Sequence, residues 1–200
     1  MRVQPSLWRK ILKPYAGPWN RMTMDKSDLR FPVGKFHFPD SISTEERRAF
    51  VQQIAETPAR LRSAVAGLDD SQLETPFRPG GWTVRQVIHH VPDSHLNSYV
   101  RFRLALTEEE PTIKPYREDQ WAELPDARTE PVGVSLGLLE GLHSRWVVLL
   151  RSLTDEQWKR TFRHPELGVL TLEKNAALYA WHGRHHEAHI TNLRHRMGWK

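Results

Sequence analysis

From Ser43 onward the apolar residues of the chain recur three and four positions apart. Phe50, Val51, Ile54, Leu61, Val65 and Leu68 form the first such series, the period of a helix that buries one face. Ser43, with Glu46 three positions on, makes a capping box, so the spacing predicts a helix from there to about Leu68. Pro58 falls inside it and is expected to kink or split it, because proline has no N–H to give and its ring crowds the preceding turn. Upstream, residues 28–42 are aromatic and punctuated by proline; they read as an extended strap laid over the domain.

The stretch from Asp69 to Gly81 is a connector, with a short helical turn at its SQLE segment and turn chemistry at Arg78-Pro79-Gly80-Gly81. Thr83 and Gln86 form a second capping box and open a second helix, predicted to run to about Thr107 with Pro92 inside it. A polar loop of roughly 25 residues follows, longer than compact domains usually carry unless the loop is functional or mobile. Leu138, Leu139, Leu142, Trp146, Leu149, Leu150 and Leu153 then mark one face of a third helix, Ser135 to Leu153. Thr154 and Gln157 cap a short helical piece, the HPELGVLT segment offers a turn between two short strands, and Thr171 opens a fourth helix reaching about Met197. Four long amphipathic helices with one long connection, between the second and third, describe an all-α four-helix bundle.

Charge changes the picture only at one end. Residues 1–24 hold Arg2, Arg9, Lys10, Lys13 and Arg21 and no acid, so this tail accounts for the whole formal charge of +5. The remainder is balanced and offers no basic stripe of the kind phosphate recognition needs, which argues against nucleic acid as a partner. The tail lacks the apolar centre of a secretory signal, and Pro5, Pro14 and Pro18 prevent a continuous amphipathic helix. The expectation is a functional chain beginning near Met24, residues 1–24 an appendage or a start-codon artefact, and one domain over 25–200 in the cytoplasm. No apolar run approaches the ~18 residues of a membrane span, so no membrane partner is expected. The absence of cysteine excludes disulfides, thiolate metal ligands and a cysteine nucleophile, leaving His and carboxylates to hold any metal.

Histidine is the informative residue. Eight of the 11 fall in two segments: His89, His90 and His95, then His182, His185, His186, His189 and His195. Bundles build metal sites from side chains on facing helices, and imidazole is the commonest ligand. On the fourth helix the apolar stripe runs through Leu172, Tyr179, Ile190, Leu193 and Met197. His186 lies near its centre and His182 one turn before, so this i, i+4 pair is best placed to hold one ion. His189 falls at the edge of the stripe and His185 farther out. On the second helix His90 shares a polar stripe with Gln86, Asp93 and Asn97, while His95 lies in the apolar face; periodicity does not choose between them as the third ligand. His89 points away and reads as surface, and His143 as a packed or surface residue. Tyr179 and Trp181 could line a pocket beside the pair, and Asp93 is either an acceptor for His90 or solvated. HGRHH is not HExxH, so no general base is built into the motif.

The segments GGWTVRQVIHHVPDSHLNSYVRFRLALTEEEPTIKPY, LHSRWVVLLRSL and LYAWHGRHHEAHITNLRHRMGW together resemble the DinB superfamily, and within it the YfiT-like branch of bacterial metal-dependent hydrolases. The similarity extends from about Leu29 to Lys200. The resemblance implies a bundle with one divalent ion per chain, zinc or else nickel, held by His90, His182 and His186, and a homodimer in the bacterial cytoplasm. Its choice of the second His of HHV selects His90 over His95. The implied activity is metal-dependent hydrolysis, read here as attack of metal-activated water on a small-molecule substrate; no base or other catalytic residue is assigned, Asp93 and Glu187 being the carboxylates considered. Two other readings stand beside it: transfer of a low-molecular-weight thiol to an electrophile, the cosubstrate supplying the thiol that this chain lacks, and a non-catalytic metal-stabilised binding module.

Overall fold

A computed structural model describes residues 28–200; the basic tail, and with it the expectation of a start near Met24, lies outside the described residues. The elements in order are α1 (Thr44–Val65), α2 (Asp70–Leu73), α3 (Val84–Thr107), α4 (Glu118–Trp121), α5 (Pro125–Thr129), α6 (Val132–Ser152), α7 (Asp155–Trp158), β1 (Thr161–His164), β2 (Gly168–Thr171) and α8 (Leu172–Met197). The capping boxes at Ser43, Thr83 and Thr154 are all formed, each satisfying two backbone N–H groups that a bare helix end leaves without partners. At the other end of α8, Gly198 takes the left-handed conformation at φ 66° and its N–H bonds back to Arg194 and His195.

The four long helices, α1, α3, α6 and α8, form the bundle. α1 packs on α8 and α6, and α3 packs on α6 and α8, so helices consecutive in sequence, α1 then α3, stand at opposite corners. One close approach is built for glycine: a Cβ on Gly183 of α8 would lie 2.6 Å from Thr57 Oγ1 of α1. Neither proline splits its helix. α1 runs continuously through Pro58 and α3 through Pro92, so of the two outcomes expected at Pro58, a kink or a split, the split does not occur. The first helix ends at Val65, three residues short of the predicted Leu68.

The long connection is also more ordered than its composition suggests. It contains α4 and α5 and is pinned to the start of α3, where Gln86 Nε2 donates to Ala122 O at 2.7 Å and Arg85 Nη1 to Glu130 O at 3.0 Å. Strands β1 and β2 pair antiparallel from Thr161↔Thr171 to His164↔Gly168. The strap lies where expected: Gly34 O accepts from Trp181 Nε1 at 3.2 Å and Phe36 packs against the Trp181 ring.

Two apolar clusters fill the interior. One gathers Phe102, Trp146, Phe162, Leu172 and Tyr179; the other gathers Leu61, Val84, Val87, Leu139, Ile190 and Leu193. Between them along α3, α6 and α8 lies a layer of buried histidines. Outside, Val134, Leu138 and Val148 of α6 and Leu96 and Val100 of α3 are exposed, so Leu138 does not share the buried face that the spacing predicts for it. No helix among the described residues is long and apolar enough to cross a membrane.

Candidate metal centre

His182 and His186 project from adjacent turns of α8, and His90 from the first half of α3, into the space between the two helices. His182 Nε2 stands 3.3 Å from His90 Nε2 and 3.2 Å from His186 Nε2, and the ligand-capable atoms of all three lie within 4.8 Å of one another. Zinc–nitrogen bonds of about 2.0–2.1 Å at tetrahedral angles place ligand nitrogens roughly 3.3 Å apart, the spacing that His182 keeps from both His90 and His186. It is the only group of three or more potential ligands among the described residues.

The rings are nearly inaccessible, at 4% exposure for His90, 0% for His182 and 3% for His186. Burial in an apolar interior disfavours the imidazolium. It pushes His90 down to about 3, and neighbouring imidazoles add to the effect; His182 and His186 are pushed well below the usual histidine range for the same reasons. The rings are thereby kept neutral, the form that binds metal. Trp82, just before α3, covers His90 with ring centroids 4.6 Å apart, and Tyr179 borders His182 at 5.6 Å.

Several histidines lie deeper than their place on the helical wheel suggests. His185 and His189, read as outward and marginal, are only 5% and 4% exposed. Trp181 stacks on His185 at 4.3 Å and Phe77 lies over His189 at 3.9 Å; the cover comes from side chains outside the bundle stripe and from the strap. Their Nε2 atoms are 3.0 Å apart, but Arg78 and Arg196 bear on His189, an unfavourable setting for a second cation. His89, read as surface, is buried, with Nδ1 2.7 Å from Ser135 Oγ and Nε2 3.0 Å from Glu130 O. His95, the other candidate on α3, does not join the triad: its Nε2 meets the far nitrogen of His182, Nδ1, at 3.1 Å.

Asp93, one turn after His90, makes no side-chain hydrogen bond among the described residues, so it is not the acceptor for His90. Burial raises its carboxyl to about 6, with Asp126 adding to the rise. Glu187 is turned to Arg60, 3.7 Å away. A small cleft lined by Asp28, Pro32, Phe77, His189 and Arg196 reaches the edge of this histidine wall.

Comparison with known proteins follows the same lines. The family model described as the DinB superfamily matches residues 53–190. Proteins from Bacillus cereus and Bacillus thuringiensis named "Putative metal-dependent hydrolase" are 57% identical over 173 residues, covering 86% of this chain and 99% of theirs. Among solved structures, YfiT from Bacillus subtilis, described as a probable metal-dependent hydrolase with an unusual four-helix bundle topology, aligns with a TM-score of 0.84 at 53% identity. That alignment covers 86% of this chain and 99% of YfiT.

Proposed function

The chain belongs to the DinB superfamily, and from that membership we propose that it is a metal-dependent hydrolase acting on a small-molecule substrate, with one divalent ion held by His90, His182 and His186. The observation that carries this reading is the convergence of three buried, neutral imidazoles on one point. His90, His182 and His186 would hold the ion through three neutral nitrogens, and a divalent ion so held would supply Lewis-acid activation of water or of a carbonyl. We propose zinc, with nickel as the alternative, since imidazole suits both. Of the two carboxylates considered as a base, Asp93 protonates in the range suited to the task, whereas Glu187 is engaged with Arg60.

Elemental analysis of the untagged protein beside a His182→Ala, His186→Ala double variant tests the site. About one equivalent of metal is expected in the first and none in the second, with hydrolysis of an ester and amide panel lost in parallel. An unmodified protein that takes up no metal even when supplied with zinc would refute the reading.

Burial favours a second reading, a metal-stabilised binding module, because no ring of the triad is more than 4% exposed. Chelation then lowers the melting temperature without removing any turnover. Thiol transfer is distinguished in the same assay: consumption of an electrophile would require both metal and an added thiol, there being no cysteine in the chain.

We also propose a homodimer joined through the outward face of α6, where Val134, Leu138 and Val148 are 59%, 51% and 70% exposed. Light scattering is expected to give twice the chain mass, and Leu138→Glu to halve it. A monomeric unmodified protein rejects the dimer, and a dimeric variant rejects this face.

A further inference from the structure

The nitrogen of His182 that faces away from the triad begins a chain of contacts across the bundle. His182 Nδ1 is 3.1 Å from His95 Nε2, His95 Nδ1 is 2.9 Å from His143 Nε2, and His143 Nδ1 is 2.6 Å from the Ile54 carbonyl oxygen. Histidines 143, 95 and 182 are 2%, 0% and 0% exposed. The last acceptor is set by sequence. In α1 the Ile54 carbonyl would normally take the N–H of the residue four positions on, but that residue is Pro58, which has none. His143 fills the vacancy.

The direction of every hydrogen bond in the chain then follows from that one end. A carbonyl oxygen only accepts, so the hydrogen of His143 sits on Nδ1, and a neutral imidazole has only one N–H. Its Nε2 is therefore an acceptor, and the hydrogen of the next contact belongs to His95 Nδ1. By the same step His95 Nε2 accepts and His182 Nδ1 donates. His182 Nε2 is then the acceptor atom of its ring, and it faces His90 Nε2 and His186 Nε2.

We propose that His95 and His143 are positioning residues that fix the tautomer and ring orientation of His182, anchored on the backbone carbonyl that Pro58 leaves free. The inference rests on the triad being a metal centre, but its core, the location of three hydrogens, belongs to the chain itself. A ligand histidine ordinarily donates its second N–H to a carboxylate, a carbonyl or water. Here two neutral imidazoles carry that role across the bundle to a carbonyl, so this partner adds no negative charge to the site.

Imidazole nitrogen-15 NMR of the metal-free protein reads the tautomers directly. His143, His95 and His182 are all expected to carry hydrogen on Nδ1. In His143→Leu the anchor is lost, His182 is expected to populate the Nε2–H form, and zinc affinity to fall by about 10- to 100-fold. His143→Gln, whose amide can donate to Ile54 O and accept from His95, is expected to restore both. His182 protonated on Nε2 in the unmodified protein overturns the proposal, as does unaltered zinc affinity in a folded His143→Leu variant. If His143→Leu does not fold, the spectrum of the unmodified protein still decides. Should that protein show all three Nδ1 hydrogens yet bind no zinc, the metal reading fails while the tautomer assignment stands.

Discussion

Metal-free protein brought from pH 7 to pH 5 is expected to unfold cooperatively, with a midpoint above pH 5 in far-ultraviolet circular dichroism. Burial holds His90 at about 3 and His143 and His185 at about 4, against an unfolded value near 6.5. Between those limits the unfolded chain binds more protons than the folded one, so stability is complete above about pH 6.5 and falls as pH drops toward the folded values. Each of these three histidines costs about 1 kcal/mol at pH 5.5 and about 2 kcal/mol at pH 5. His95, His182, His186 and His189 are displaced in the same direction by the same desolvation. Together they outweigh much of the roughly 5–15 kcal/mol that holds a domain folded. Saturating zinc, which binds only the folded protein with neutral rings, should move the midpoint to lower pH. Native ellipticity persisting to pH 4 without metal would mean that the buried rings take up protons in place.

The second large effect is expected at Trp146. It is fully buried and meets Phe102, Tyr179, His95 and His143 edge to face, with centroids 5.6 to 5.8 Å apart. Trp146→Ala removes the wall that keeps His95 and His143 dry as well as a large part of the core. A truncation of this kind costs about 3–5 kcal/mol, which in a chain of this size lowers the melting temperature by roughly 10–15 °C. Trp146→Phe should cost much less, because the ring contacts survive and the indole N–H that it removes has no hydrogen-bond partner. Calorimetry of the two variants checks the order; equal losses, or an alanine variant within about 1 kcal/mol of the parent, would contradict the packing described.

Much of the bundle was readable from the chain. The caps at Ser43, Thr83 and Thr171 and the ends near Thr107 and Met197 follow from local chemistry that tertiary contacts did not override. The stripe on α8 placed His182 and His186 together, and the structure brings both to His90. Pro58 does not split α1: His143 of α6 brings a donor to the carbonyl that the proline leaves free, a partner that the local rule for proline does not count. Of the two readings of His143, packed or surface, the packed one holds: it lies four positions after Leu139 and three before Trp146, in the middle of the buried face of α6. His185 and His189 are buried by Trp181, Phe77 and the strap, cover that no periodicity within α8 reports. The turns α4 and α5 are too short to show a period at all, and their order comes from Arg85, Gln86 and His89 reaching out of α3.

The path from Ile54 through His143 and His95 to His182 visits α1, α6, α3 and α8, crossing three of the four packed helix interfaces in turn. The fourth is closed beside both of its ends, where Gly183 of α8 meets Thr57 of α1. No long helix can therefore swing outward alone without breaking this loop of contacts. Backbone amides at the middle of the four helices should exchange with solvent in a single cooperative opening, and slowly. On the proposed reading, a ligand's route to the buried imidazoles would run through segments outside the loop, the strap bonded to Trp181 and the turn bearing Trp82, which can open without parting the four helices.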